Sequence, residues 1–124
     1  MYTIHEVCEK TGLPVHTLRY YEKEGLLPNV RRSKGGFRQY SDDDLEALGL
    51  ICCLKNTGMS LSDIARFMEL TREGDQTLRE RCDLLMRHRA AVQEKMAEMR
   101  RHLKKVTHKI EHFSNRLAEY ERTT

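Results

Sequence analysis

The hydrophobic positions at the start of the chain recur with the period of short helices. One face of a first helix is formed by Ile4, Val7, Cys8 and Thr11. Thr3 and Glu6 are spaced as a capping box at its beginning, and Gly12 marks its end. Pro14 suits the first turn of a second helix that runs to about residue 24. Two short helices joined by a turn that contains glycine predict a helix-turn-helix unit.

Residues 29–40 have the pattern of a β-hairpin, because a Gly-Gly pair separates two short runs. Ser41 and Ser60, each followed three residues later by an aspartate, are candidate N-caps of a third and a fourth helix. The third helix is expected to end near residues 57–58, and the fourth before Gly74. One hairpin among short helices predicts a mainly α fold.

Beyond residue 75 the pattern becomes a heptad repeat. Every seventh position is apolar in the series Leu78, Leu85, Val92, Met99, Val106, Phe113 and Tyr120. A second series, four residues later, consists of Cys82, Arg89, Met96, Leu103, Ile110 and Leu117. Such d and a positions, sustained over about six heptads, are typical of a coiled coil. An internal helical hairpin would need a loop signal between residues 78 and 120, and Pro and Gly are absent there. The helix is therefore expected to pair two chains in a homodimer.

Charge is unevenly distributed along the 124 residues, whose formal net charge is +3. Residues 1–40 carry seven Lys or Arg against four Asp or Glu, and residues 41–76 carry three against eight. Residues 77–124 carry twelve against seven. An acidic middle between two basic ends indicates different roles along one small domain and its appendage.

Several classes of protein are disfavoured. No apolar run is long enough to span a membrane, and the first residues lack the order of a signal peptide, so a cytoplasmic protein is expected. The four cysteines are then expected to be thiols, and neither they nor the six histidines have the spacing of a metal site. A phosphate-binding loop and a suggestively spaced Cys–His pair are also missing, so we expect no enzyme, no metal and no cofactor.

The second helix has two different faces. Val15, Leu18 and Glu22 share one side with Tyr21 beside them, and the apolar members are expected to pack inward. The opposite side is basic, aromatic and rich in hydrogen-bonding groups, and it consists of His16, Arg19, Tyr20 and Lys23. This character suits phosphates and base edges, and the second helix of such a unit is the one that enters the major groove. The alternative is an ordinary solvated face.

The hairpin favours the DNA-binding interpretation. Four cations cluster around its Gly-Gly pair: Arg31, Arg32, Lys34 and Arg38. A narrow basic hairpin after a basic recognition helix is a wing that reaches the DNA backbone or the minor groove. A coiled-coil adaptor protein would explain the long helix but neither of these basic features. The sequence therefore predicts a winged helix-turn-helix that binds double-stranded DNA, and a two-fold dimer implies a palindromic site.

Three segments together carry a family resemblance: "YTIHEVCEKTGLPVHTLRYYEKEGLL", "GGFRQYSDDDLEAL" and "LKNTGMSLSDIARFM". Over residues 2–70 the chain resembles the DNA-binding domain of the MerR family of bacterial transcription regulators. The resemblance implies a DNA-binding domain over residues 1–74 and an antiparallel coiled-coil dimerisation helix with a short tail over residues 75–124. It also implies that the dimer binds a dyad in an overlong promoter spacer and distorts it, so that RNA polymerase engages both promoter elements.

Individual roles follow from the matched motif. The resemblance implies that Arg19 and Tyr20 contact the DNA backbone and that His16 and Thr17 lie near the bases. Arg38 and Tyr40 belong to the wing. These residues, together with Lys23, Arg31, Arg32 and Lys34, form the predicted DNA interface.

The signal to which the regulator responds is the least defined part. Almost nothing follows the coil, and a C-terminal cysteine cluster or ligand domain is missing, which resembles the short thiol-based (NmlR- and AdhR-like) subgroup that responds to aldehydes or nitrosative stress. In that subgroup a reactive cysteine occupies the place of Cys53, whereas the adjacent Cys52 departs from the single-cysteine pattern. Cys52 shares a helix face with Leu45 and Leu48, but Cys53 lies on a more polar face. Two alternatives stay open: both thiols are inert, or the regulator has a non-thiol effector or none.

Overall fold

Five helices and one two-stranded hairpin make up the described part of the chain, residues 1–27 and 30–124 of a computed structural model. The elements in chain order are α1 (Ile4–Thr11), α2 (Val15–Lys23), β1 (Arg31–Arg32), β2 (Arg38–Gln39), α3 (Asp42–Asn56), α4 (Leu61–Glu73) and α5 (Leu78–Thr123). A short 3₁₀ turn, Asp75–Thr77, precedes α5. The mainly α fold with a helix-turn-helix and a hairpin is confirmed; Asn29, the first residue of the predicted hairpin, lies outside the described residues.

The ends of the first helix are defined by the predicted signals. The Thr3 hydroxyl accepts a hydrogen bond from the Glu6 backbone N–H at 3.2 Å, and the Glu6 carboxylate accepts one from the Thr3 N–H at 3.1 Å. Gly12 ends α1 with φ of +73°, a conformation that residues with a Cβ avoid. A reciprocal box of the same kind, formed by Ser41 and Asp44, begins α3. Both ends of α1 and the start of α3 therefore lie where local hydrogen bonding favours them.

The hairpin is attached to the start of the chain. Its strands pair antiparallel, with Arg31 opposite Gln39 and Arg32 opposite Arg38. At the end of β2, Tyr40 exchanges two backbone hydrogen bonds with Tyr2, at 2.7 and 2.8 Å. The segment before α1 thus fixes the base of the hairpin, a contact that the sequence pattern did not predict.

A single core connects α1 to α4. It is formed by buried side chains from all four helices and the loops between them: Val7, Leu18, Tyr21, Leu26, Leu27, Tyr40, Leu48, Ile51, Leu54, Met59, Ile64, Phe67 and Met68. Burial of this apolar surface is the main stabilising contribution, at roughly 1.5–3 kcal/mol for each large side chain.

The chain divides into two compact units, Met1–Met86 and Arg87–Thr124. The first unit extends beyond residue 74 because Leu84 and Leu85, at the start of α5, pack against its core. In the turn between α4 and α5, the buried Thr77 hydroxyl donates a hydrogen bond to the Leu70 carbonyl at 2.7 Å.

The second unit is a segment of α5 with an exposed apolar stripe. None of the residues of α5, all of which are described, is fully buried. The exposed large side chains of this segment are Met96, Met99, Leu103, Val106, Ile110, Phe113, Leu117 and Tyr120. They coincide with the predicted a and d positions. In the described residues, α5 and the other helices are all too short or too polar to cross a membrane.

Candidate nucleic-acid interface

The outer face of α2 is exposed, as its pattern predicted. His16, Arg19 and Lys23 are exposed, and the Tyr20 side chain retains 45% of its accessible surface. Thr17 is half-buried. On the inner face, Leu18 and Tyr21 are fully buried. The helix is therefore held by one face and presents a polar, basic face to solvent.

One lysine and one arginine side chain connect the α2 region to α3 and α4. Lys55 of α3 donates a hydrogen bond from Nζ to the Tyr21 hydroxyl at 3.3 Å, and its Nζ lies 5.6 Å from the centre of the Tyr21 ring. Arg72 of α4 donates from Nη1 to the carbonyl of Gly25, just after α2, at 3.1 Å. These contacts fix the recognition helix relative to α3 and α4.

The cations of the hairpin fall into two groups. The side chains of Arg31 and Lys34 are exposed and, like those of Arg19 and Lys23, form no hydrogen bond or ion pair with another described residue. Arg32 and Arg38 instead face the same partner, Glu22 of α2. Since charged groups without a protein partner are available to DNA phosphates, the two groups are not equivalent.

The contacts to Glu22 link α2 to both strands of the hairpin. Arg38 donates a hydrogen bond from Nε to Glu22 Oε2, and both side chains are less than a quarter exposed. Arg32 Nη2 lies 3.9 Å from Glu22 Oε1, and Arg32 Nη1 donates to the carbonyl of Gly36 at 3.2 Å. One carboxylate therefore joins β1, β2 and the recognition helix.

Tyr40, which the sequence analysis assigned to the DNA interface, lies at the base of the hairpin and not on its surface. Its side chain is 0% exposed and lies in the core. The hydroxyl is buried and has no hydrogen-bond partner among the described residues. Burial, and then the charge of Glu22, raises the pKa of Tyr40 above its usual value. An aromatic ring at the end of a short strand is more stable beneath the hairpin than in water, so Tyr40 anchors the base of the wing.

A cleft of about 370 Å³ lies between α1, α2 and the hairpin. Arg19 and Arg38 line it, together with two residues that the sequence analysis did not single out, His5 and Phe37. Phe37 is 77% exposed at the tip of the hairpin. The sequence contains a signal for the exposure of Phe37. It is a large apolar residue directly after a Gly-Gly turn, and it belongs to none of the periodic apolar patterns that predict burial.

The four cysteines differ in their surroundings. Cys53 is exposed, whereas Cys52 is half-buried, as the faces of α3 predicted. Burial raises the pKa of the Cys52 thiol, and the charge of Lys55 offsets this only in part. Cys8 is half-buried against the core, and Cys82 is exposed on α5. Within the described residues, no three His, Cys, Asp or Glu side chains are grouped as metal ligands would be.

A basic recognition helix held on a helical core and followed by a basic hairpin defines a winged helix-turn-helix protein. The family model described as MerR HTH family regulatory protein matches residues 2–71, and one described as MerR, DNA binding matches residues 45–109. The chain therefore belongs to the MerR family. It is a DNA-binding transcriptional regulator and not an enzyme.

Known relatives agree with this assignment. An uncharacterised HTH-type transcriptional regulator of Haemophilus influenzae is 48% identical over 109 residues, which cover 88% of this chain and 81% of the relative. The regulator AdhR of Bacillus subtilis is 38% identical over 82 residues, which cover 66% of this chain and 59% of AdhR. A similar solved structure is the crystal structure of HiNmlR, a MerR family regulator lacking the sensor domain, bound to promoter DNA. Its TM-score is 0.83 at 48% identity, and the match covers 88% of this chain and 86% of the HiNmlR chain. The resemblance to the short NmlR- and AdhR-like regulators is thus confirmed.

Proposed function

We propose that the protein is a homodimeric regulator that binds a dyad in promoter DNA through residues 1–74 and dimerises through residues 75–124. The observation that carries this proposal is the exposed outer face of α2, where Arg19 and Lys23 have no ionic partner among the described residues. Such groups bind phosphates, and their neighbours His16, Thr17 and Tyr20 can reach base edges or the backbone. Arg31 and Lys34 extend the interface along the wing, and the Arg32 side chain, which also faces Glu22, is 53% exposed beside them.

Dimerisation is supported by the apolar stripe of α5. Side chains such as Leu103, Ile110 and Leu117 are more than half exposed in the single chain. A helix with one continuous apolar stripe is poorly stable until that stripe is covered, and a second copy of the same helix covers it best. An antiparallel pair would place one DNA-binding domain (residues 1–74, here called the reading head) at each end of the coil. RNA polymerase would then respond indirectly, through distortion of the promoter between the two heads.

Selection from a pool of random duplexes by the wild-type protein tests the dyad. We expect the enriched sequences to contain an inverted repeat, because the two heads of a two-fold dimer read the same bases on opposite strands. Affinity measured by fluorescence anisotropy should fall steeply with salt concentration. Enrichment of a single unrepeated motif would contradict dyad binding, and no enrichment would contradict sequence-specific binding.

We further propose that the thiol of Cys53 receives the signal, as an adduct with an aldehyde or a nitrosating agent. Cys53 is exposed in the last turn of α3, the helix that follows the wing. A group added there would alter the packing between the reading head and its support. A small rotation, doubled by the dyad, changes the spacing of the two recognition helices and hence the distortion of the DNA. Such a protein would act in the cytoplasm, at the nucleoid.

Cys53→Ser is expected to retain DNA binding and to lose the transcriptional response to aldehydes or nitrosating agents. Serine keeps the size of the side chain but not the nucleophilic thiolate. Transcription from a selected promoter in vitro, with and without the electrophile, measures the response. Mass spectrometry after mild treatment should find the adduct first on Cys53.

Cys52→Ser is the matched control, since the two residues are adjacent but Cys52 is half-buried with a raised pKa. It should retain both binding and response. A normal response by Cys53→Ser would reject the thiol sensor and leave a regulator with a non-thiol effector or none. A lost response in Cys52→Ser alone would assign the sensing thiol to Cys52.

A further inference from the structure

Glu22 is the acidic residue of α2, and it lies on the side of the helix opposite to the exposed basic face. Its carboxylate faces two wing cations, Arg38 by a hydrogen bond and Arg32 at 3.9 Å. The charge of Glu22 must therefore serve contacts within the protein.

These contacts are better placed than ordinary surface ion pairs. The Glu22 and Arg38 side chains are 21% and 24% exposed, so solvent screens their attraction only in part. Each of the two strands of the hairpin contributes one cation to the same carboxylate, and Arg32 also binds the carbonyl of Gly36 in the turn. Because β1 and β2 have two residues each, few ladder hydrogen bonds hold the hairpin in place. The ion pairs thus add a direct link between α2 and both strands of the hairpin.

Arg38 of β2 and Arg19 of α2 both line the cleft between α1, α2 and the hairpin. The width of this cleft depends on the position of the hairpin relative to α2. A cation whose Nε is bound to a carboxylate has fewer donors for DNA, whereas Arg19 has no such partner among the described residues.

We infer that Glu22 and Arg38 form a positioning pair that sets the wing against the recognition helix, so that Arg38 promotes specific DNA binding through Glu22 and not by touching a phosphate. The inference rests on the proposed DNA-binding function and refines it: Arg19, Arg31 and Lys34 are the phosphate-binding cations of this region. Specificity then depends on a carboxylate that acts through contacts within the protein.

The test compares wild type, Glu22→Gln, Arg38→Gln and the double variant by anisotropy. Each is titrated with the duplex selected by the wild-type protein and with an unrelated duplex of equal length, at several salt concentrations. We expect each single variant to bind the selected duplex about tenfold more weakly, the equivalent of one good contact. Neither variant should weaken binding to the unrelated duplex to a comparable extent, and the salt slope of Arg38→Gln should stay at the wild-type value. The double variant should bind like either single variant, because both substitutions break the same pair.

Two results would overturn the pair. Tighter binding of the selected duplex by Glu22→Gln would show that Glu22 merely repels DNA. A salt slope that falls by about 0.9 per protomer in Arg38→Gln would assign Arg38 to a phosphate. Lys34→Gln is the matched control: Lys34 lies in the same hairpin without an ionic partner among the described residues, and its loss should lower the slope.

The measurements distinguish three causes of a negative result: a misfolded variant, failure of the proposed DNA-binding function, and failure of the positioning pair alone. Circular dichroism melting and light scattering establish that each variant is a folded dimer, and Arg38→Gln alone decides by its slope if Glu22→Gln does not fold. Equal wild-type affinity for the selected and unrelated duplexes would reject the proposed function. A clear wild-type preference combined with a lowered slope in Arg38→Gln would reject only the positioning pair.

Discussion

Arg19→Ala is expected to weaken binding to the selected operator by about 100-fold or more, because each protomer of the proposed dimer would lose a charged contact worth about 1–3 kcal/mol. Arg19 is exposed at the middle of the outer face of α2, and its side chain forms no hydrogen bond or ion pair with another described residue. The substitution therefore removes a contact to DNA without opening a cavity. Anisotropy titration measures the affinity, and the melting temperature should stay near that of the wild type.

Tyr40→Phe is the informative control for this experiment. The sequence placed Tyr40 in the same interface, but the structure buries its hydroxyl without a partner among the described residues. Removal of that hydroxyl should leave operator binding intact and should not lower stability, since an unsatisfied buried polar group is unfavourable. Near-normal operator binding by a folded Arg19→Ala dimer would reject the proposal that the outer face of α2 binds DNA.

Ile110→Asp is expected to dissociate the dimer and thereby to abolish tight operator binding. Ile110 is 60% exposed in the single chain and occupies an a position of the heptad repeat. In a coiled coil its side chain is buried against the partner helix, where an unpaired carboxylate is strongly disfavoured. Analytical ultracentrifugation should show a rise of about 100-fold or more in the dimer dissociation constant, equivalent to roughly 3 kcal/mol.

Asn115→Asp is the matched control, because it adds the same charge to α5 outside the a and d series. It should remain a dimer with wild-type affinity for DNA. A dimer that survives Ile110→Asp unchanged would exclude the stripe as the dimer interface and would require another one.

The polarity of the coil can be read from a natural cysteine in the same helix. If the dyad lies near Met99, Cys82 and its symmetry mate are roughly 50 Å apart in an antiparallel pair, at 1.5 Å per residue. Cys82 is exposed, so distance and not access would prevent a disulfide between them. Met99→Cys should crosslink readily under the same oxidation, in a background without Cys53. Efficient linkage through Cys82 would instead indicate parallel chains.

The features that follow from neighbours along one helix were visible in the residues themselves. The boxes at Thr3 and Ser41 depend on a partner three residues away, and both are present. The two faces of α2 and the different exposure of Cys52 and Cys53 follow from the turn of the helix between adjacent positions. The apolar stripe of α5 follows from its period of seven. These are local interactions, so composition and spacing suffice to predict them.

The contacts between distant segments required the folded molecule. Tyr2 forms a backbone β-bridge with Tyr40, which is far from it in the sequence, and Glu22 binds Arg38, which lies sixteen residues away. The first turns of α5 join the core through Leu84 and Leu85. Single contacts of this kind have no period, and any of several nearby cations was an equally good partner for Glu22 by spacing. Which cations face DNA and which hold the wing depends on how the hairpin packs on α2, and that packing arises from the burial of side chains far apart in the chain.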